Sequence, residues 1–263
     1  MKMSDPTCIV WCGGGRVRDM DESAEAFELC LKGLFETLEA AARHHVRRLI
    51  LLSDIGCDAC NTLHASLSRA GEAVFLGHCV RHQARALILR LAKCQPWWDE
   101  LEYSNIFGAY ASTMWRGGIS SVDAADAVLR ATNYVHDNSN FRGRRVRPPP
   151  PPLNIAPRWE YTSDDLESWD KGGPGSSLEA VYGQKIASDA EKFGLDITFT
   201  PILFDTKPAE LLLGWKAKDD VRSIIDMMRE TGRRGPPPPT WGRQQVHSQF
   251  ENVDSIVVSC MLK

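Results

Sequence analysis

The chain has 263 residues, 43% of them hydrophobic and 25% charged, with a formal net charge of -3 at pH 7. That length buries a real core without disulfide staples, and the apolar and charged fractions are those of ordinary globular proteins. The small acidic excess predicts no global attraction to nucleic acid or membrane, so any basic partner surface is local.

The longest apolar runs, such as Ile202 to Phe204 and Ile256 to Cys260, fall far short of the roughly 20 residues that cross a bilayer, and no transmembrane helix is expected. Met1 to Pro6 carries neither an apolar signal core nor a small-residue cleavage site, so a cytoplasmic location is the expectation. The eight cysteines (Cys8, Cys12, Cys30, Cys57, Cys60, Cys79, Cys94 and Cys260) are spread through strand and helix patterns, which favours reduced thiols. Cys30 and Cys260 sit inside apolar patterns and read as small core residues.

In chain order, Cys8 to Cys12 is a short strand-type run ending at Gly13-Gly14-Gly15. Asp21 or Ser23 can cap a helix whose Phe27, Leu31, Leu34 and Leu38 keep helical spacing. Leu49 to Leu52 is a fully apolar strand, Asn61 to Ala70 a helix closed by Gly71, and Ala73 to Leu76 a third strand. Val80 to Lys93 reads as a helix stopped by Pro96-Trp97-Trp98, and Ser120-x-x-Asp123 opens another that runs to about His136. Fully apolar strands separated by helices imply parallel strands covered on both faces.

Composition then shifts: Arg142, Arg144, Arg145 and Arg147 precede Pro148 to Pro152, predicting an exposed polyproline II connector. Ser176-x-x-Glu179 opens a helix ending at Gly194, Ile197 to Phe204 reads as a strand, and Asp219 to Thr231 as a helix closed by Gly232. A second proline run, Pro236 to Pro239, leads to a last strand over Ser255 to Leu262. The expected fold is a three-layer α/β protein with a mostly parallel, doubly wound, Rossmann-like sheet and a proline-rich insertion. Its expected organisation is an N-terminal half over 1–140, a basic proline-rich connector over 141–158, and a C-terminal half over 159–263 completing the same sheet.

For chemistry, Cys57-Asp58-Ala59-Cys60 stands where a strand meets a helix N-terminus, whose free N–H groups and dipole stabilise a thiolate. Over about Leu49 to Leu76 the order strand, Cys-x-x-Cys, helix, strand resembles the start of the thioredoxin and glutaredoxin families. The resemblance implies that Cys57 attacks and Cys60 resolves. Those families place a cis proline opposite the cysteine pair, where this chain has Gly77 to His82. The same cysteines with His78 and His82 give C-x2-C-x17-H-x3-H, a ligand set for tetrahedral zinc, with His64 and Cys79 as alternative ligands.

Gly13, Gly14, Gly15 and Arg16 form a glycine turn that can bring N–H groups and a cation to an anionic ligand, although it matches neither dinucleotide nor Walker pattern. Val10 to Ser53 resembles the third sequence block of SGNH esterases, with Gly14-Gly15-Arg16 in place of that block's functional residues. No Gly-Asp-Ser block precedes it, so this hydrolase reading names no nucleophile. Arg145, Pro148 and Pro151, and again Arg233, Pro236 and Pro239, fit R-x-x-P-x-x-P, the ligand pattern of SH3-type and WW-type domains.

The leading expectation is a thiol-redox or small-molecule catalytic site where Gly13 to Gly15, Cys57 and His78 converge at strand carboxyl ends. Zinc binding and recruitment of SH3/WW-type partners are the alternatives, and membrane and nucleic acid are not expected as partners.

Overall fold

The computed structural model describes residues 6–13, 27–58, 62–94, 106–137, 149–172, 176–232 and 256–259. Five strands among them form one parallel sheet: β1 (Cys8–Trp11), β2 (Arg48–Asp54), β3 (Arg85–Leu91), β4 (Leu153–Ile155) and β5 (Ile256–Ser259), in the order β4-β3-β2-β1-β5. Register runs Ile9 to Leu49, Leu49 to Ala86, Leu89 to Leu153, and Ile9 to Val257 on the other edge.

Helices cover both faces of the sheet. On one side lie α1 (Gly33–Arg43), entered through a single π-helical turn over Glu28–Lys32, and α2 (Leu63–His82). Their Leu34, Leu38 and Phe75 meet Leu49, Leu51 and Ile88 of the strands. On the other side Ala124, Ala127, Ala131 and Val135 of α4 (Ser121–His136), with Ala209 and Leu213 of α8 (Lys207–Leu213), meet Val10, Ile50, Leu87 and Leu89. Alternate strand residues therefore feed two separate apolar layers. The result is the three-layer Rossmann-like α/β arrangement expected from the sequence.

Several element expectations are corrected. Helix α2 does not stop at Gly71. It runs unbroken through Ala73 to Leu76, the stretch expected to be a strand, because Leu67, Gly71, Phe75, His78 and Cys79 form one buried stripe. Gly71 lies on that stripe facing α1, where a Cβ would stand in ordinary van der Waals contact, 3.5 Å from Leu34 Cδ2. Thr62 caps the start, its Oγ1 accepting from Ala65 N at 3.1 Å, and Gln83 ends the helix with a φ of +53°.

The stretch expected to be a helix over Val80 to Lys93 holds β3, buried on both faces from Ala86 to Leu89. β4 lies within the expected proline connector, with Leu153 and Ile155 buried just after the exposed Pro151. Ile197 to Phe204 forms no strand; Asp196 Oδ1 instead accepts from Thr198 N at 3.1 Å and Oγ1 at 2.6 Å, turning the chain. The helix expected over Ser176 to Gly194 is two, α6 (Ser176–Tyr182) and α7 (Gln184–Phe193), parted by Gly183 at a φ of +89°.

A second apolar cluster joins α3 (Ile106–Trp115), α5 (Ser163–Gly172), α6, α7 and α9 (Val221–Thr231). Its centre is aromatic: the Tyr161 ring meets Trp169 and Tyr182 edge-on, with centroids 5.7 and 5.2 Å apart. Trp115 Nε1 donates to the Asp196 carbonyl at 2.8 Å, tying this layer to the loop after α7. Asp123, at the start of α4, accepts from the backbone N–H groups of Lys218 and Asp219 at 2.9 and 3.0 Å and so fixes the approach to α9.

Candidate functional site

Parallel strands place all their carboxyl ends on one side, and there β2 ends at Asp54 and β3 gives way to Ala92 and Lys93. Helix α3 crosses in front of these ends. The space between is a cleft of about 560 Å³, lined by Asp54 to Gly56, Ala92, Lys93, Ser112, Arg116 and, from the loop after α7, Ile202 and Phe204. Its floor needs glycine: Gly118 lies so close to Thr113 and Lys93 that a Cβ would fall 2.7 and 2.8 Å from their carbonyl oxygens. Gly117, at a φ of +90°, supplies the turn.

Asp54 is the acidic group of this cleft. His64, on the first turn of α2, brings Nε2 to 3.2 Å from Asp54 Oδ2, while Gly56 N–H donates to Oδ1. The His64 hydrogen bond holds the Asp54 carboxyl below its ordinary range against the opposing effect of burial, and the same bond raises the His64 imidazole. His64 Nδ1 and Ser53 Oγ are both buried without a hydrogen-bond partner among the described residues. Ser53 and Asp54 are neighbours in an extended strand, so their side chains leave on opposite faces and do not act on one atom.

Cys57 lies in the 3₁₀ turn Ile55–Asp58, fully buried, its thiol 3.7 Å from Glu72 Oε1 and 3.8 Å from Asp58 Oδ1. Burial first, and then the Glu72 carboxylate, push this thiol up to about 12. At pH 7 only about one thiol in 10⁵ is then ionised, against the few per cent of an ordinary cysteine. The thiolate-stabilising helix terminus expected from the sequence is offset by burial and two carboxylates. Those carboxylates are themselves held by Arg90, whose Nε and Nη2 meet Glu72 at 2.8 and 2.7 Å and whose Nη1 meets Asp58. Cys60 lies outside the described residues.

His78 and His82 do stand together, rings stacked with centroids 4.4 Å apart, but at the other end of α2 from Cys57. Glu72, the residue of α2 that Cys57 touches, precedes His78 by six positions and His82 by ten, about 9 and 15 Å along the helix axis. Among the described residues, the group of three or more His, Cys, Asp or Glu whose ligand atoms all lie within 4.8 Å of one another is Glu39, His78 and His82. Cys57 is not in that group, and His78 does not join the strand carboxyl ends.

Gly13 accommodates the Trp11 indole, which a Cβ at that position would overlap. Gly14, Gly15, Arg16, Arg145, Pro148, Arg233, Pro236 and Pro239 lie outside the described residues, and Pro151 is exposed immediately before β4. Sequence reading missed Asp54 and Glu39, and offered His64 only as an alternative zinc ligand rather than as the partner of Asp54. The one available signal was Asp54 directly after an apolar strand, where strand-end carboxylates face ligands.

No family model matches this sequence, and no curated protein matches it. Solved structures do. The Bordetella bronchiseptica enzyme WbmG in complex with NAD aligns with 87% of this chain and 74% of its own, at 16% identity and TM-score 0.52. RMD from Pseudomonas aeruginosa complexed with NADPH aligns over 88% and 83%, at 12% identity and TM-score 0.56. A short-chain dehydrogenase/reductase superfamily protein from Agrobacterium tumefaciens with bound NAD aligns over 93% and 82%, at 14% identity and TM-score 0.56. At these identities the likeness establishes the Rossmann-like fold. Among the described residues no helix is long and apolar enough to cross a membrane.

Proposed function

We propose that this chain binds a nucleotide-type small molecule in the cleft at the carboxyl ends of β2 and β3 and acts on one of its hydroxyl groups through Asp54 and His64. The observation that carries the reading is the Asp54–His64 pair at 3.2 Å, with Asp54 lining a 560 Å³ cleft. That volume lies within the range of small-molecule sites. Asp54, kept ionised by His64, is an acceptor for a ligand hydroxyl, and His64 behind it holds or releases the balancing proton. Lys93 brings positive charge to the same wall, which suits a phosphate-bearing ligand, while Arg116 beside it is paired with Asp196 at 3.0 Å.

Structures of the same fold have been solved with NAD, NADPH and UDP, so nucleotides are the first ligands to try. The thiol-redox reading gains no support from Cys57, which needs a thiolate that its surroundings suppress.

The test is calorimetric titration of the full chain with NAD and, separately, UDP. Binding of either is expected, weakened about tenfold or more in Asp54→Asn, as fits loss of a hydrogen bond to a charged group. Ser112→Phe, which fills the cleft from α3, should abolish it. No heat with either nucleotide, or equal binding by Ser112→Phe, overturns the proposal.

A further inference from the structure

Glu39 of α1 and His78 and His82 of α2 form a cluster that the proposed ligand cleft does not use. The two histidines stand at i and i+4, so they share one helical face, and Glu39 approaches from the helix packed alongside. Three features separate this cluster from ordinary polar packing.

First, its members do not satisfy one another. Glu39 Oε1 stands 3.7 Å from His78 Nδ1, beyond the 2.7–3.2 Å range of an N–H···O hydrogen bond. Second, His82 Nε2 is buried with no hydrogen-bond partner among the described residues, although buried ring nitrogens are ordinarily paired. Third, the rings stack at 4.4 Å with His78 almost entirely buried. A neutral imidazole has a lone pair to give, which is the form that ligates metal.

The spacing fits a shared ion. With zinc–nitrogen and zinc–oxygen bonds of about 2.0–2.2 Å, two ligands on a tetrahedral centre lie about 3.3–3.5 Å apart. The Glu39–His78 separation exceeds that by a few tenths of an ångström, and all three ligand atoms already lie within 4.8 Å of one another. The Glu39 side chain is 37% exposed and free to swing the remaining distance. Cys79, between the histidines in sequence, is buried among the α1–α2 core residues.

We infer that Glu39, His78 and His82 form a binding site for one divalent zinc ion that pins α1 to α2, with a fourth position left for water. Two imidazoles and one carboxylate are a ligand set that zinc accepts. The site lies at the amino-terminal end of the sheet, since α2 runs back from the end of β2 to the start of β3. It is therefore separate from the cleft at the carboxyl ends.

The experiment uses the full chain without an affinity tag, stripped with chelator, and titrated with Zn²⁺ and with Co²⁺ as a spectroscopic substitute. The expected result is one Zn²⁺ per chain, a higher unfolding midpoint on binding, and visible cobalt bands without thiolate charge transfer. Glu39→Gln and His82→Gln should each weaken binding at least about tenfold, and Cys57→Ala should leave it unchanged. Both ligand positions are partly exposed, so far-UV circular dichroism should show both variants folded; if His82→Gln is not, Glu39→Gln alone decides. Failure to bind Zn²⁺, a thiolate–cobalt band, loss of binding in Cys57→Ala, or unaltered binding in Glu39→Gln each overturns the site.

Discussion

The two ends of the sheet along which α2 runs carry similar residues in opposite circumstances. Near the strand carboxyl ends, Cys57, Asp58 and Glu72 surround Arg90, and the guanidinium takes up both carboxylates. Near the amino ends, Glu39 and His78 stand 3.7 Å apart, beyond hydrogen-bond length, and His82 Nε2 has no hydrogen-bond partner among the described residues. A residue type with reactive potential is thus chemically silent at one end and still available at the other. Reactivity is set by whether the neighbouring groups are already paired, more than by the presence of a cysteine or histidine.

The strongest way to break this contrast is to remove the cation. In Arg90→Met the Glu72 carboxylate, its side chain 7% exposed, loses both bonds to the guanidinium and is left buried and unpaired. Breaking a buried pair from one side costs about 3–5 kcal/mol, to be read from urea unfolding. Arg90→Met with Glu72→Met should recover most of that loss, because neither buried charge remains. A double variant as unstable as the single one would mean that Arg90 acts through packing alone.

Gly118→Ala probes the cleft floor at the same end. The new methyl would meet backbone oxygens of Thr113 and Lys93 at 2.7 and 2.8 Å, and neither is a flexible tip. Overpacking against backbone costs about 1–3 kcal/mol, measured in the same unfolding series. Nucleotide binding should fall with it, since Lys93 and Thr113 shape the cleft. Full stability in Gly118→Ala would show that the α3–β3 junction yields easily.

The opposite end should be more forgiving. His78→Leu in the metal-free chain replaces a buried ring by an apolar side chain and leaves only Glu39, whose side chain is 37% exposed, without its neighbour. The change should cost less than about 1.5 kcal/mol, as tolerated core swaps do. A loss like that of Arg90→Met would mean that the histidine pair is held as tightly by its surroundings as the arginine cluster, and the contrast between the ends would disappear.

How much of this is legible in the sequence follows from the range of each interaction. β1 and β2 are readable because Ile9-Val10-Trp11 and Leu49 to Leu52 are apolar runs with turn residues nearby. β3 reads as helix because Arg85-Ala-Leu-Ile-Leu-Arg-Leu suits either state by periodicity, and its burial between β2 and β4 decides the matter. Gly71 looks like a helix end, yet it lies inside α2, whose buried stripe continues on both sides of it. His78 and His82 are visible as a pair, but Glu39 joins them only through the packing of α1 on α2. The Cys-x-x-Cys signal is local and lacks what matters, the carboxylate of Glu72 on the facing helix.

The smallest expected effect separates the two ends by sign. His64 is raised by its hydrogen bond to Asp54, so its contribution to stability is complete below the unfolded value near 6.5 and is lost as pH rises through the folded value. Asp54, lowered by the same bond, contributes above its unfolded value near 3.8 and loses that contribution as pH falls through its folded one. The pair therefore helps most between these limits. His78 is lowered by burial: below 6.5 the unfolded chain binds the extra proton first, and stability falls as pH drops. The His64 and Asp54 side chains are 33% and 42% exposed, so solvent screening limits the pair to about 0.5 kcal/mol. Unfolding free energies of the wild type minus His64→Gln should shrink from pH 6 to pH 8, whereas the wild type minus His78→Leu should become more positive over the same interval. Parallel slopes for the two differences would place both histidines in the same electrostatic setting, and with that the two ends of α2 would no longer differ.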